Sequence, residues 1–235
     1  MPTELSLSGT VVIVGNYGSG KTEVAVNLAI HQKKQGRDIQ VADLDLVNPY
    51  FRTREARKVM TALGIHLVLP PPDLLQADLP ILMPSVAGLI RGPADLAILD
   101  VGGDPVGATV LSALADIFEQ SRQKVSMLQV VNPFRPSTET AEGCLAMRAA
   151  IESKARLAVT GWIGNAHQLD ETRWEHIRYG YRFMSELALQ SGLPVRFVTA
   201  PGHLAGQAQQ EHWNCPILPI YRQLVPPWLK PQDII

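Results

Sequence analysis

The sequence predicts an α/β fold with three layers: a mainly parallel, twisted sheet of about seven strands with helices on both faces. Short apolar runs rich in β-branched residues alternate with segments of helical periodicity along the chain. The first of these runs leads through a glycine-rich turn directly into a helical segment. With 46% hydrophobic residues, a chain of 235 residues can fill one core, so we expect a single domain over residues 1–235.

The first half of the chain predicts three strands and two helices. Thr10–Val14 is short, continuous and β-branched, which is typical of a buried parallel strand. Lys21–Gln35 has helical spacing, and Gly36 follows where a helix commonly ends. The next elements are a strand over residues 39–42, a helix over 54–63 and a strand over 66–69. Residues 70–84 contain five prolines and predict an irregular surface segment.

The second half continues the alternation. The predicted strands cover residues 96–99, 125–131, 157–163 and 195–199. A helix is expected over residues 106–121, another starts near Ser137, and a third covers about 171–191. Asp170 is a possible N-cap of the third helix, and Gly192 follows its end.

The charge balance and the cysteines exclude several classes of protein. There are 21 Lys and Arg against 22 Asp and Glu, whereas a nucleic-acid binder needs an excess of basic side chains. No apolar stretch approaches the roughly 18 residues of a membrane span, and residues 1–4 do not resemble a signal peptide. Cys144 and Cys215 form no C-x-x-C motif, and residues 226–231 are not an amphipathic basic helix. We therefore expect a cytoplasmic protein with no membrane anchor and no nucleic-acid partner.

The glycine-rich turn carries the strongest chemical signal. It matches G-x-x-x-x-G-K-[ST] at every fixed position, and it lies between a strand and a helix as that motif requires. Glycines let backbone amides form an anion-binding nest, the lysine reaches the β- and γ-phosphates, and the hydroxyl binds Mg²⁺. The predicted nucleotide-binding residues are Gly15, Asn16, Tyr17, Gly18, Ser19, Gly20, Lys21 and Thr22.

Carboxylates follow two of the predicted strands. Asp43 and Asp45 lie at the end of the second strand, and Asp100 follows the strand over residues 96–99. Ligands bind at the carboxyl ends of parallel strands, so these side chains are expected near the phosphates. Asp45 is a candidate to orient the attacking water or a metal-bound water. Asp100 is a candidate for the magnesium shell, and Gly103 could turn its amide toward a γ-phosphate.

This order of motifs resembles the MinD/ParA group of ATPases, within the SIMIBI class that also includes dethiobiotin synthetase and cobyrinic acid a,c-diamide synthase. The resemblance is closest over residues 11–103. It implies ATP and Mg²⁺ as cofactors, with Lys21 and Asp45 catalytic and with Thr22, Asp45 and Asp100 at the metal. It also implies that Asn165 reads the adenine base and that nucleotide drives a homodimer acting on a protein partner. Residues 45–52 further resemble an uncharacterised group of bacterial ATP-binding proteins related to MinD, a likeness that implies no activity.

One position departs from the MinD/ParA signature. The group has a second lysine after the first loop glycine, which reaches the partner subunit's nucleotide, and this chain has Asn16 there. Arg52, Arg54 and Arg57 are candidates to replace that cation, although we favour a solvated helix face for them.

Two alternatives to a slow, switch-like ATPase stay open. One is a biosynthetic enzyme that activates a small carboxylate, with residues 70–92 and Arg91 forming the wall of an acid-binding site. The other is a module that binds ATP without hydrolysing it. The absence of an N-K-x-D run favours ATP over GTP in all three interpretations.

Overall fold

The computed structural model describes residues 4–45, 53–69, 83–92, 94–103, 105–225 and 229–233. The strands are β1 (Gly9–Gly15), β2 (Ile39–Leu44), β3 (His66–Val68), β4 (Leu96–Val101), β5 (Val125–Val131), β6 (Val159–Gly164), β7 (Val195–Pro201) and β8 (Ile217–Ile220). They form one sheet in the order β3-β2-β4-β1-β5-β6-β7-β8, and every neighbouring pair is parallel. The predicted parallel α/β fold is confirmed.

Helices cover both faces of this sheet. They are α1 (Lys21–Lys34), α2 (Arg57–Ala62), α3 (Met83–Arg91), α4 (Pro105–Ser112), α5 (Ala115–Gln120), α6 (Ala141–Ala155), α7 (Trp174–Ser191) and α8 (Gly202–Gln210), with short 3-10 turns at Thr53–Ala56 and Leu169–Glu171. Val11 and Ile13 of β1 pack in one core cluster with α1 and α2. Val12 and Val14 pack in a second cluster with α3 to α6. The two clusters follow from the alternation of side chains along a strand.

The sheet has one strand more than the sequence predicts. β8 is a short edge strand, Ile-Leu-Pro-Ile, and Pro219 within it removes a backbone donor. A run of four residues with a proline gives little strand signal, so the sequence alone does not predict this strand.

Several helix boundaries also differ. The helix expected over residues 106–121 is two helices, α4 and α5. The helix expected near Ser137 begins at Ala141, because the Thr140 side chain accepts a hydrogen bond from the Gly143 amide and acts as its N-cap. The prediction of Asp170 as N-cap of α7 is wrong: Asp170 lies in a 3-10 turn, and Arg173 is the N-cap. Residues 83–84 of the expected irregular segment belong to α3, and residues 70–82 lie outside the described residues.

The parallel arrangement brings all carboxyl ends of the strands to one edge of the sheet. β1 lies between β4 and β5, so the chain runs outward from it in both directions. This is the position at which open α/β sheets bind ligands. Among the described residues, no helix is long and apolar enough to cross a bilayer.

Candidate nucleotide-binding site

The phosphate loop lies between β1 and α1 at the centre of the sheet edge. Gly18 and Gly20 have φ angles of 72° and 84°, in the left-handed region that favours glycine. A Cβ on Gly15 would lie 2.6 Å from the Val130 carbonyl oxygen, and a Cβ on Gly20 would collide with the Asn165 amide. The glycines of the motif are therefore required by backbone conformation and by close packing. α1 begins at Lys21, which places the N-terminus of a 14-residue helix at the loop.

Asn16 is engaged within its own chain. Its Oδ1 accepts a hydrogen bond from the Tyr17 amide at 2.8 Å, and its Nδ2 donates to the Pro136 carbonyl at 2.7 Å. Arg135, on the same loop after β5, donates from Nε to the Gly18 carbonyl at 3.2 Å. Residue 16 thus holds the phosphate loop against the loop after β5.

The predicted carboxylates meet beside the loop. Asp43 and Asp100 are register partners on β2 and β4, and both are fully buried. Asp100 Oδ2 accepts a hydrogen bond from the Thr53 hydroxyl at 2.8 Å, whereas its buried Oδ1 has no hydrogen-bond partner among the described residues. The pKa of Asp100 is raised to about 7, mainly by burial and also by the neighbouring Asp43 carboxylate, while Lys21 and hydrogen bonds from Thr53 and Thr22 oppose the rise.

The donor set fits a magnesium ion. The Asp100 carboxylate has one buried oxygen without a hydrogen-bond partner among the described residues, and the Thr22 hydroxyl interacts with the same carboxylate and lowers its pKa. Hard oxygen donors of this kind are the ligands that Mg²⁺ prefers. Among the described residues, no group of three His, Cys, Asp or Glu side chains could hold a metal by itself.

The switch-like glycines after β4 lie against Lys21 and Asp45. A Cβ on Gly103 would lie 2.5 Å from Lys21 Nζ and 3.2 Å from the Tyr17 amide nitrogen. A Cβ on Gly102 would lie 3.4 Å from Asp45 Oδ1. Lys21, Asp45 and the Gly102–Gly103 pair therefore lie close together at one end of the loop.

A cavity of about 450 Å³ extends from the phosphate loop across the carboxyl ends of β6, β7 and β8. Asn165 lines it, but both ends of its amide are engaged: Nδ2 donates to the Ser19 carbonyl at 2.7 Å, and Oδ1 accepts from the Thr199 hydroxyl at 2.6 Å. His167 also lines the cavity, and its buried Nε2 has no hydrogen-bond partner among the described residues. Burial, with smaller contributions from Arg135 and Arg222, lowers the pKa of His167 to about 4.

Another part of the cavity wall comes from the chain after β8. The half-buried Glu23 carboxylate accepts hydrogen bonds from the Gln223 amide at 2.7 Å and the Leu224 amide at 3.0 Å. Its burial raises the pKa of Glu23, and these two hydrogen bonds oppose that shift. The sequence does not predict Glu23, Arg135 or Arg222 as residues of this site. A carboxylate in the first turn of α1 was the available signal for Glu23, but it is equally typical of an ordinary helix start.

The other sequence candidates do not join the site. Arg57 lies exposed on α2, Arg52 lies outside the described residues, and nothing is described of the Arg54 side chain. Arg91 is exposed at the end of α3 and does not line the cavity. Cys144 and Cys215 are both buried and free, and burial raises the pKa of each thiol.

Solved structures share this fold at low sequence identity. FtsY from Mycoplasma mycoides aligns with a TM-score of 0.56 and 17% identity, over 83% of this chain and 61% of that one. The signal recognition particle receptor FtsY from Elizabethkingia anophelis, in complex with GDP, aligns with a TM-score of 0.53 and 17% identity, over 84% and 58%. Cell division protein FtsY from Thermotoga maritima aligns with a TM-score of 0.53 and 20% identity, over 85% and 64%.

This likeness is one of fold. The chain spans about three fifths of the length of these neighbours. No family model matches the sequence, and no curated protein sequence matches it. The solved structures show that the chain has the α/β fold of P-loop nucleotide-binding proteins. Its place in the MinD/ParA group stays a prediction.

Proposed function

We propose that this protein binds Mg·ATP on the phosphate loop, hydrolyses it slowly and acts as a nucleotide-dependent switch on a protein partner. The convergence of Lys21, Asp45 and Gly103 on the loop, beside the buried Asp100, carries the proposal. Four groups from three separate segments meet where the γ-phosphate of a bound triphosphate would lie. Each matches a role in phosphoryl transfer.

The residues divide the chemistry among them. The Lys21 ammonium and the loop amides stabilise negative charge on the transferring phosphoryl group. Asp45 accepts a hydrogen bond from the attacking water and orients it. The Thr22 hydroxyl and Asp100 would hold a magnesium ion, which would supply positive charge to offset that of the phosphates.

The switch proposal rests on the hydrogen bond from Thr53 to Asp100. Thr53 begins the segment that follows residues 46–52, and Asp100 precedes Gly102 and Gly103. The bond therefore joins the two segments that a γ-phosphate would order. Loss of that phosphate would release both segments together, which a partner can sense.

Support for ATP comes from the sequence, which has no N-K-x-D run to read guanine. Because one of the FtsY neighbours was solved with GDP, GTP is the competitor to test. Titration calorimetry with ATP and GTP in the presence of Mg²⁺ should show tighter binding of ATP.

Lys21→Ala should weaken ATP binding at least about tenfold, because it removes a charge-assisted contact. Lys154→Ala, an exposed lysine on α6, is the matched control and should bind as the wild type does. Unchanged binding by Lys21→Ala would contradict the phosphate-loop assignment.

The switch is tested by light-scattering mass with ADP, with a non-hydrolysable ATP analogue and with neither. A dimer that forms only with the ATP analogue, and not in Lys21→Ala, supports the switch. Residue 16 is an uncharged asparagine that binds Pro136 of its own chain, so a cation in such a dimer would have to come from another residue. A constant mass with turnover that rises with one small carboxylate would instead favour the biosynthetic alternative. ATP retained without turnover would favour the binding module.

A further inference from the structure

At one end of the cavity several of the lining side chains are apolar. They come from the loops after β6 and β7 and from the chain around β8: Ala166, Leu169, Pro201, Ile220 and Leu224. Such a slot suits a flat purine ring. Asn165 is committed to Ser19 and Thr199, so the ring has to be recognised by other polar groups of this end.

Arg222 and Asp170 form an ion pair across this end of the cavity. Arg222 Nη1 lies 3.2 Å from Asp170 Oδ1 and 3.3 Å from Oδ2, and both residues line the cavity. The Arg222 side chain is 26% exposed and that of Asp170 is 86% exposed, so the guanidinium lies deeper than the carboxylate. The pair joins the loop after β6 to the chain after β8. A guanidinium held by a carboxylate keeps its planar face free to stack on an aromatic ring.

The backbone on both sides of Arg222 is bound to α1. Glu23 accepts hydrogen bonds from the two residues after it, Gln223 and Leu224. Asn27, one turn along α1, accepts from the Tyr221 amide at 2.8 Å and also donates to the Glu23 carboxylate at 2.9 Å. The helix whose first turn would contact the phosphates thus also fixes the backbone on both sides of Arg222.

This arrangement explains a half-buried carboxylate beside the proposed phosphate site. An uncompensated negative charge there would repel the triphosphate. The Glu23 oxygens are instead used by the Gln223 and Leu224 amides and by the Asn27 side chain.

We propose that Arg222 contacts the nucleobase by stacking on its face, and that Glu23 is the residue that positions Arg222. The inference rests on the proposed nucleotide-binding function and adds a preference for purine over pyrimidine bases, because the larger ring offers more stacking area.

The test separates the base from the phosphates. Binding of ATP, CTP and inorganic tripolyphosphate is measured by calorimetry for wild type, Arg222→Ala, Arg222→Lys and Arg178→Ala. Arg178 pairs with Glu211 at 3.9 Å outside the cavity and is the matched control. We expect Arg222→Ala to weaken ATP binding by about tenfold, to reduce the preference for ATP over CTP and to leave tripolyphosphate binding unchanged. Arg222→Lys keeps the positive charge but has no planar guanidinium to stack on the base. It should therefore not restore the preference for ATP over CTP.

Two results would overturn the contact: an equal loss of ATP and tripolyphosphate binding in Arg222→Ala, or no loss of either. Wild-type protein that binds neither ATP nor tripolyphosphate would instead refute the proposed function itself. The two failures are therefore distinguishable.

The positioning role has its own variants. Glu23→Gln keeps the shape but replaces one acceptor oxygen with a donor, so it should show the same selective loss of ATP binding as Arg222→Ala. The Glu23→Gln, Arg222→Ala double variant should bind ATP no more weakly than Arg222→Ala alone, because both substitutions remove the same interaction. Should Glu23→Gln not fold in a thermal melt, Asn27→Ala releases Tyr221 from α1 and gives the same readout. Additive losses, or a loss of tripolyphosphate binding with intact folding, would rule out positioning through Arg222.

Discussion

Asn165 donates a hydrogen bond from Nδ2 to the backbone carbonyl of Ser19 at 2.7 Å, so the loop after β6 is tied to the phosphate loop. The Thr199 hydroxyl orients that amide from β7 by donating to its Oδ1. A residue expected from its family resemblance to read the adenine ring is thus engaged with the backbone of the phosphate loop.

This geometry predicts the phenotype of Asn165→Ala. ATP and tripolyphosphate binding should weaken by the same factor, because the variant loosens the phosphate loop and does not remove a contact to the base. The free energy of unfolding should fall by about 1–3 kcal/mol, since the buried Ser19 carbonyl and Thr199 hydroxyl lose a partner. Calorimetry and denaturant unfolding measure the two effects, with exposed Asn214→Ala as control. Weaker ATP binding with unchanged tripolyphosphate binding would restore the base-reading role.

The hydrogen bond between Thr53 and Asp100 predicts a second effect. Thr53→Val keeps the side-chain volume but leaves a fully buried carboxylate oxygen without its donor. We expect the free energy of unfolding to fall by about 1–3 kcal/mol in nucleotide-free protein. Thr53→Ser retains a hydroxyl and should lose less. Equal stabilities of the valine and serine variants would show that this bond does not hold the two segments together.

The part of the site that could be predicted from the sequence is local. The phosphate loop has glycines and a lysine at a fixed spacing, because backbone conformation and close approach require them. The sequence predicts that Asp43 and Asp100 lie near each other, because the ends of parallel strands meet at one edge of the sheet, and the two are register partners. In both cases a short stretch of sequence determines the position of the side chain.

The remainder depends on contacts between distant parts of the chain. Glu23 and Gln223 are 200 residues apart, and Asn16 and Pro136 are 120 apart. No local pattern encodes such pairs, since each partner looks ordinary in its own segment. The same holds for β8, whose proline and four-residue length hide it until the rest of the sheet provides an edge.

His167 predicts a pH dependence of stability. Its folded-state pKa of about 4 lies below the ordinary value of 6.5, because it is buried and faces Arg135 and Arg222. Between these pH values the unfolded chain binds the proton and the folded chain does not, so stability falls as the pH drops from 6.5 to 4. His167→Gln does not titrate. Between pH 7 and pH 4, the free energy of unfolding of the wild type should therefore fall by about 3 kcal/mol more than that of the variant. Denaturant unfolding across this range, with exposed His212→Gln as control, measures the difference. Parallel pH profiles for wild type and His167→Gln would contradict the burial argument.

Two helical glycines predict opposite effects of the same substitution. A Cβ on Gly180 of α7 would collide with Ala166 Cβ in the loop that carries Asn165 and His167, whereas a Cβ on Gly206 of α8 would meet nothing within 4 Å. Gly180→Ala should lower the free energy of unfolding by about 1–3 kcal/mol, because α7 has to move away from the loop. Gly206→Ala should stabilise by about 0.5–1 kcal/mol, because alanine is the better helix former. Thermal melts of the two variants should shift in opposite directions. Gly180→Ala should also weaken tripolyphosphate binding, since the displaced loop no longer holds Ser19. A stabilised Gly180→Ala variant with normal binding would mean that α7 does not position this loop.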